Sequence, residues 1–552
     1  MKNDKMLDSA RRQLNEVEND LVDELAAGRI GRREFLRHGS VLGLSLPMLS
    51  TIAGALGVTI VPTPARAAGG PGGKIRVATT QPAGAIDPVT VGDNGGLQML
   101  LQTGEFLSIS GSDLRLRPLL AESWKPNQDG TVWTFKLRQG IKFQNGKEFN
   151  ADAVVATIDR LADPKNSSNA LSAFKGTLSK GATQKVDEFT VEFHLDAPNG
   201  NFPYLVSSDN YNAIMLPADY AGDFEKNFVS TGPFMLEKYT PKVGATFVRN
   251  PNYWGKAALP DRTEWSFYDD MQASVLALQG DNVDIISQVS VQGAQALLSD
   301  PKIQIISEKT CAHQQVHMRC DMDPFTDKRV RQAVGLCIGR TDVVTGLFRG
   351  RSDIGNDSPF APVFPSTDKT VAQRHRDISK AKELMAAAGH ANGFTVKLTT
   401  EKYLEIPDYA VIIQSAVKPI GIAIELNIES QDAYYGKAVF GQSDWLDSVM
   451  GITDYGHRGV PNVFLSAPLK SEGTWNSAHF KNPEYDGLVA DYIKALDLGS
   501  QRAVAGKIQR LLLDETPILF TYFYDYLTPA KKNLTGISRV PNRLFMSQVA
   551  FT

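Results

Sequence analysis

Three cysteines in 552 residues are too few for a disulfide-built scaffold. No excess of charge of either sign is present: 58 Lys and Arg stand against 61 Asp and Glu, a formal net charge of −3. That balance supplies no general attraction for nucleic acid or an anionic membrane, and neither is expected as a partner. After the first 67 residues there is no internal repeat, no low-complexity segment and no second apolar run of membrane length. Catalytic signatures are also scarce, with no H-E-x-x-H zinc helix, no G-x-S-x-G elbow and no P-loop. What remains is an ordinary globular composition, 42% hydrophobic and 22% charged, which excludes wholesale disorder. At roughly 150 residues per domain the length suggests about three domain-sized units.

The first 67 residues read as an address. Gly31-Arg32-Arg33-Glu34-Phe35-Leu36-Arg37 precedes a weakly polar apolar stretch, Val41 to Val61, interrupted by Pro47. Ala65-Arg66-Ala67 then supplies an A-x-A cleavage pattern. Basic region, apolar region and small-residue site together make an export signal, and the paired arginines resemble a twin-arginine signal. Gly31 stands where such signals usually carry Ser or Thr. A retained membrane anchor is the competing reading, since 21 residues just span a bilayer; Pro47, the glycines and the A-x-A site argue for cleavage near Ala67. Leu7, Leu14, Val17, Leu21 and Leu25 lie among acids in an amphipathic helical pattern, read here as an extended leader discarded with the signal. The mature protein is then expected to be soluble and periplasmic. Twin-arginine export usually carries folded cargo, which fits three cysteines remaining as thiols. Cys311 and Cys320 lie ~30 Å apart if the chain between them is extended, so a bridge would need a hairpin.

Strand and helix signals alternate along the rest of the chain, a mixed α/β pattern. Trp133, Phe135 and Leu137 alternate with polar residues, as do Phe189, Val191, Phe193 and Leu195, and again Ile422, Ile424, Leu426 and Ile428. Asn145-Gly146 is a tight-turn dipeptide. The spacing of Val330, Val334, Cys337 and Val344 predicts one helix over 327–348. Ser379 and Gly389 bracket another, Asn482-Pro483 opens a third reaching about Leu498, and Gln501 to Asp514 forms a fourth.

Four blocks carry a resemblance that spans nearly the whole mature chain. The first runs from Leu116-Arg-Pro-Leu-Leu-Ala-Glu-Ser-Trp124 through Asp129-Gly130-Thr131 to Phe143, then Asn145-Gly146 and Phe149 to Val154. The second is Ser230-Thr231-Gly232-Pro233-Phe234, followed by Asn250-Pro251-Asn252-Tyr253-Trp254-Gly255. The third is Asp323-Pro324-Phe325-Thr326-Asp327-Lys328-Arg329-Val330-Arg331, and the fourth Phe480-Lys481-Asn482-Pro483-Glu484-Tyr485-Asp486. In order and spacing they resemble the extracytoplasmic solute-binding proteins of peptide/nickel-type ABC importers, family 5. The resemblance implies a two-lobed α/β periplasmic-binding-protein fold that closes on its ligand about a hinge. Lobe I would comprise 73–309 and 527–552, with an extra subdomain at roughly 115–228; lobe II would comprise 310–526. Hinges would lie at Ser307–Ala312 and Tyr524–Pro529. The implied partners are a small ligand, the permease subunits of an ABC importer and the twin-arginine export machinery. A monomer, no cofactor and no enzymatic activity are expected.

Dipeptide-binding relatives pair an Asp in a Gly-x-Thr-Gly-Asp segment with the peptide α-ammonium. The matching stretch here is Met450-Gly451-Ile452-Thr453-Asp454-Tyr455-Gly456-His457-Arg458, which implies Asp454 as the ammonium partner, with Tyr455 beside it. His457 and Arg458 replace acids of the family, and Arg458 suits a ligand with an extra carboxylate or phosphate. Lys402, with Tyr403, falls near the loop where dipeptide binders carry a base for the ligand carboxylate. Ala83, Gly84 and Ala85, with Asn212 and Ala213, are candidates for the opposite wall. Trp445 and Tyr434 are stacking candidates or core. Short peptides are the first expectation for the ligand; opine-like conjugates, oligosaccharides and metal chelates stay open.

An exported hydrolase is the rival class. Ser172-Ala-Phe-Lys175 and Ser208-Asp209-Asn210 match two elements of the penicillin-recognising set, but K-T-G is missing and the spacing is short, so the match is read as coincidence. His313 and His317, four apart on a strand-like run, share a face, yet no Cys/Asp cluster completes a metal shell.

Overall fold

The structure is a computed structural model. It describes residues 72–226, 228–540 and 543–552. Within the first 56 residues it describes 16–30 and 46–56 together with 7, 10, 11, 14, 35 and 44. The chain divides into two units, 1–69 and 70–552. The arginine pair, Pro62 to Ala67 and the cleavage pattern lie outside the described residues. Among the described residues no helix is long and apolar enough to cross a membrane.

The larger unit is organised by two sheets. The first has seven strands, in the order Ile303–Glu308, Tyr526–Lys531, Ile285–Ile286, Lys74–Thr80, Arg262–Tyr268, Gly244–Arg249 and Phe234–Thr240. Lys74–Thr80 runs parallel to Arg262–Tyr268, and the remaining outer strands fold back as an antiparallel meander. The second sheet has five strands, in the order Ile422–Glu429, Phe394–Glu401, Met450–Tyr455, His313–Met318 and Ile518–Phe520. Its first three strands are parallel and its last three antiparallel. Each sheet anchors one lobe of a two-lobed α/β fold. A four-stranded antiparallel sheet, Ala121–Pro126, Val132–Leu137, Thr190–His194 and Thr183–Asp187, forms a further layer with the helix Ala151–Ala162.

Alternation in the sequence places the core as expected in the small sheet, where Trp133, Phe135, Leu137, Val191 and Phe193 are all buried. In Ile422–Glu429 the burial fades outward, and Ile428 is exposed because the strand is the sheet edge. Helix ends differ from the sequence reading in four places: the helix opened by Asn482-Pro483 ends at Lys494 and not near Leu498, the helix read as Gln501 to Asp514 spans Leu498–Glu515, and two others differ as follows. The helix expected over 327–348 is two, Lys328–Cys337 and Arg340–Phe348, separated at Ile338-Gly339 where the backbone turns extended. The helix expected to be capped by Ser379 starts at Ile378, because the Asp377 carboxylate takes the Lys380 amide instead. Asn482 caps Pro483–Lys494 as expected, accepting from the Tyr485 amide at 3.1 Å. Cys311, Cys320 and Cys337 are all free thiols.

The two parts of the second motif block converge on buried Glu105. Its carboxylate accepts from the Thr231 hydroxyl at 2.8 Å, the Tyr253 hydroxyl at 2.6 Å and the Trp254 indole at 2.8 Å. Burial pushes its pKa up, and the three donors oppose that shift. Asn250 donates to the Gly232 carbonyl at 3.0 Å, and a Cβ on Gly232 would sit 2.7 Å from the Thr103 carbonyl, which is why only glycine fits there. The Ser-Thr-Gly-Pro-Phe and Asn-Pro-Asn-Tyr-Trp blocks are therefore two sides of one buried polar joint. Glu105→Ala leaves three donors without their acceptor, the buried Thr231 hydroxyl and the half-buried Tyr253 and Trp254. It should cost about 3 kcal/mol, read as a lowered midpoint of urea unfolding; an unchanged midpoint would show that the joint contributes nothing.

Candidate functional site

The cavity between the two sheets has a volume of about 450 Å³. One wall comes from the seven-stranded lobe: Thr80 at a strand end, 92–94 and Leu97 at the start of helix Asn94–Thr103, Tyr211, Met271 and 288–291. The other comes from the five-stranded lobe: Phe348, Tyr403, Leu404, Glu405, Asp454, Gly456 and Arg458. Tyr524, Asp525 and Tyr526 line it where the chain crosses between the lobes.

Strand periodicity positions the central carboxylate. In Met450–Tyr455, residues 450–453 are buried and Asp454 is half-buried at the cavity wall, its Oδ1 accepting from the Tyr524 hydroxyl at 2.9 Å. Its backbone amide reaches the Glu401 carboxylate at 3.3 Å. Glu401 also accepts from Gln431 at 2.7 Å and Tyr435 at 2.8 Å. Burial raises the Asp454 pKa to about 7; the hydrogen bond from Tyr524 opposes the rise, and the charges of Glu401 and Glu405 add to it. An empty cavity therefore holds a carboxyl group that resists ionising until a cation compensates it.

The cavity is closed by contacts from lobe to lobe. Glu405 is buried, with its pKa raised by that burial and held back by backbone hydrogen bonds from Gln292 and Val291 across the cleft. The Gln292 side chain donates to Asp408. Farther out, the Gly200 amide donates to the Ile493 carbonyl at 2.8 Å, and Asn201 donates to Asn462 at 2.8 Å. A Cβ on Gly459 would lie 2.1 Å from the Asp209 carboxylate, so that approach requires glycine. Asp209 is paired with Arg543 at 2.8 Å. At the chain crossings Lys309 bridges Asp353 at 3.0 Å and Asp525 at 3.1 Å, while Ser307 donates to Asp525 at 2.6 Å.

Of the residues singled out from sequence, Asp454, Tyr403 and Arg458 come together on the cavity. The exposed Arg458 side chain donates to the His457 carbonyl at 3.0 Å. Tyr455 points the opposite way from Asp454, stacked on His313 at 5.5 Å. His457 is buried with its Nδ1 3.2 Å from both the amide and the Sγ of Cys311; burial, then the charges of Arg543 and Arg458, drive its pKa well down and keep it neutral. Tyr434 is fully buried with its hydroxyl 2.9 Å from Thr453, and Trp445 packs between Tyr435 and Trp475 at 5.2 and 6.3 Å. Lys402 is exposed, tied through its backbone amide to Glu429 at 2.7 Å, and it does not line the cavity. Ala83, Gly84 and Ala85 form an exposed loop away from it. Asn212 is buried and donates to the Pro88 carbonyl at 2.8 Å, with Ala213 buried beside it in sequence.

Glu405, Tyr524, Tyr526, Phe348 and Tyr211 were not singled out. The period-2 run Tyr522, Tyr524, Tyr526 was the available signal, since alternate residues on a crossing strand share a face. Glu405 reads from sequence as an ordinary acid at a helix start. The rival motifs are dispersed into local structure: the Ser172 hydroxyl donates to the Asn169 carbonyl at 2.9 Å, and the Ser208 hydroxyl accepts from the Ser110 amide at 2.9 Å. The His317 Nε2 donates to the Ser448 carbonyl at 3.1 Å, and the described residues contain no cluster of three metal-ligating side chains.

Residues 115–459 match the family described as bacterial extracellular solute-binding proteins, family 5 Middle. Heme-binding protein A of Haemophilus influenzae is 26% identical over 431 residues, 73% of this chain and 78% of that protein. A glutathione-binding protein of Shigella dysenteriae serotype 1 is 26% identical over 485 residues, covering 83% of this chain and 91% of that protein. The solved structure of the periplasmic binding protein DppA from Helicobacter pylori, in complex with peptide STSA, superposes with a TM-score of 0.68 at 21% identity, covering 87% of this chain and 98% of that one.

The Asp454 shift has a sign that stability measurements read. A folded pKa raised to about 7 from the ordinary 3.8 means that the fold favours the protonated form, so its contribution is full below the ordinary carboxylate range and lost as pH rises toward 7. The ligand-free Asp454→Asn protein, which never ionises there, should show a melting-temperature advantage over wild type that widens from pH 4 to pH 7. A constant gap would show that Asp454 is not desolvated.

Proposed function

The chain belongs to the bacterial extracellular solute-binding proteins of family 5, and on that premise we propose that it captures a short peptide or related amino compound at Asp454 and delivers it to an ABC permease. One observation carries this reading: a half-buried carboxyl group, with its pKa pushed up to about 7 by burial, faces a cavity lined by both lobes. A ligand ammonium placed against it restores the charge, and the attraction is stronger there than at a fully wet surface because the carboxyl group is partly desolvated. Tyr403, Tyr524, Tyr526 and Phe348 supply apolar and aromatic surface for the ligand body, and Arg458 supplies a fork for a carboxylate. That base equally supports an opine-like conjugate with an additional acid. Two relatives point the same way by what they bind: a glutathione-binding protein by its description, and a binding protein solved with a bound peptide.

We assign lobe I to 73–309 and 527–552, with the subdomain at roughly 115–228, and lobe II to 310–526; the membership of strands in the two sheets supports this division. Ligand that touches both lobes binds the closed form better than the open one and shifts the population toward it. The permease then reads the closed surface. No chemistry on the ligand is needed, and the protein acts as a monomer without a cofactor. Residues 1–67 direct export through the twin-arginine machinery, with cleavage near Ala67 leaving the mature protein in the periplasm.

Native mass spectrometry of the purified protein should reveal one small molecule per chain. Calorimetry with a panel of di- and tripeptides should give 1:1 binding without turnover; hydrolysis of the panel would overturn the binding-protein reading. Asp454→Ala should weaken binding of an amine-bearing ligand by about thirtyfold or more. Wild-type affinity should fall about tenfold per pH unit below about 7, because the carboxyl is then neutral, and the dependence should vanish in Asp454→Asn. Unchanged affinity in both variants would remove Asp454 from the site.

A further inference from the structure

The unit formed by residues 1–69 has a core of its own that solute binding does not use. Its helix Glu16–Ala26 is amphipathic. Val22 and Leu25, three apart, are buried; Asp20 and Asp23 are exposed. The apolar stretch of the export signal carries a second helix, Leu46–Ala55, in which Leu49, Ile52 and Ala53 are fully buried at the i, i+3, i+4 spacing of one face. These two stripes belong to one cluster, joined by Ala10 and by Phe35, two residues beyond the arginine pair. The segment before the helix is tied down as well: Arg11 pairs with Asp23 at 2.5 Å, and Asn19 donates to the carbonyls of Arg11 and Leu14 at 3.2 Å each. Arg29 closes the far end on Glu24 at 2.8 Å.

A leader that is only discarded has no use for such a core. An export signal acts through its bare apolar segment, and here part of that segment is covered by residues that precede the arginines. The cover offers an anionic bilayer little net attraction, since its helix carries five Asp and Glu and no base in eleven residues and two of those acids occupy Arg11 and Arg29. We infer that residues 1–30 are an intramolecular cover for the apolar helix of the export signal, which keeps the precursor off the membrane until the cover is opened. This rests on the reading of 31–67 as an export signal given above.

The test uses the full-length precursor and vesicles of phosphatidylethanolamine and phosphatidylglycerol. In flotation assays the wild type should bind weakly. Val22→Ser with Leu25→Ser, which loosens the core without adding charge, should raise the bound fraction about tenfold. Deletion of residues 2–27 should do the same and does not depend on the substituted helix folding. Vesicle binding unchanged in both, or wild type already fully bound, would overturn the cover. The export reading is separated by a secretion assay: Arg32→Lys with Arg33→Lys should retain the precursor in the cytoplasm, and continued export would sink that reading whatever the vesicles show.

Discussion

Two backbone crossings set the geometry on which the rest of the molecule depends. Ile303–Glu308 pairs antiparallel with Tyr526–Lys531, with Ile303 opposite Lys531 and Glu308 opposite Tyr526. Just beyond the ladder, the Thr310 hydroxyl donates to the Tyr524 carbonyl at 2.6 Å, and the Tyr524 amide donates to the Ala312 carbonyl at 2.9 Å. Each strand then enters the other sheet, as His313–Met318 and Ile518–Phe520. Because ladder hydrogen bonds fix register, and a one-residue slip would reverse every side chain, this pairing decides which residues face the cavity. Tyr524 and Tyr526 line it; Phe520 and Phe523 fall on the other side, into the cluster with Tyr455 and Phe464.

The same register presents Asp454 to the cavity and its neighbour Tyr455 to the core. A carboxyl group placed there is poorly solvated and near Glu401 and Glu405, so the ligand-free closed form carries an electrostatic penalty. A bound cation relieves it. In the function proposed above, ligand charge and lobe contact would be coupled through this one side chain. The Gln292 side chain, donating to Asp408, makes a contact that runs directly from lobe to lobe.

Legibility from sequence followed the range of the physics involved. Strands with strict alternation and helices with an Asn-Pro start were readable, because burial of one face and capping of orphan amides are local. The break at Gly339 was not, since the apolar spacing continues through it. The choice of Asp377 over Ser379 as the helix cap depended on where the backbone first turns helical. In the site, Asp454, Tyr403 and Arg458 lay close to recognisable family positions. Lys402, Trp445 and Tyr434 were the right chemical types in the right region, but strand register and packing turn Lys402 to solvent and the two aromatics into the core.

By itself the sequence determined the α/β class, the family and the absence of a disulfide framework, and it set the first 67 residues apart from the rest, because composition, periodicity and ordered motifs report short-range preferences. The tertiary structure decided which carboxyl group is desolvated, which tyrosines surround it and that the leader has a core of its own. Those outcomes depend on residues distant in sequence: Tyr524 is seventy positions from Asp454, and Leu49 lies a full helix and an arginine box beyond Val22. No local pattern encodes such encounters; only the closed network of packing and hydrogen bonds does.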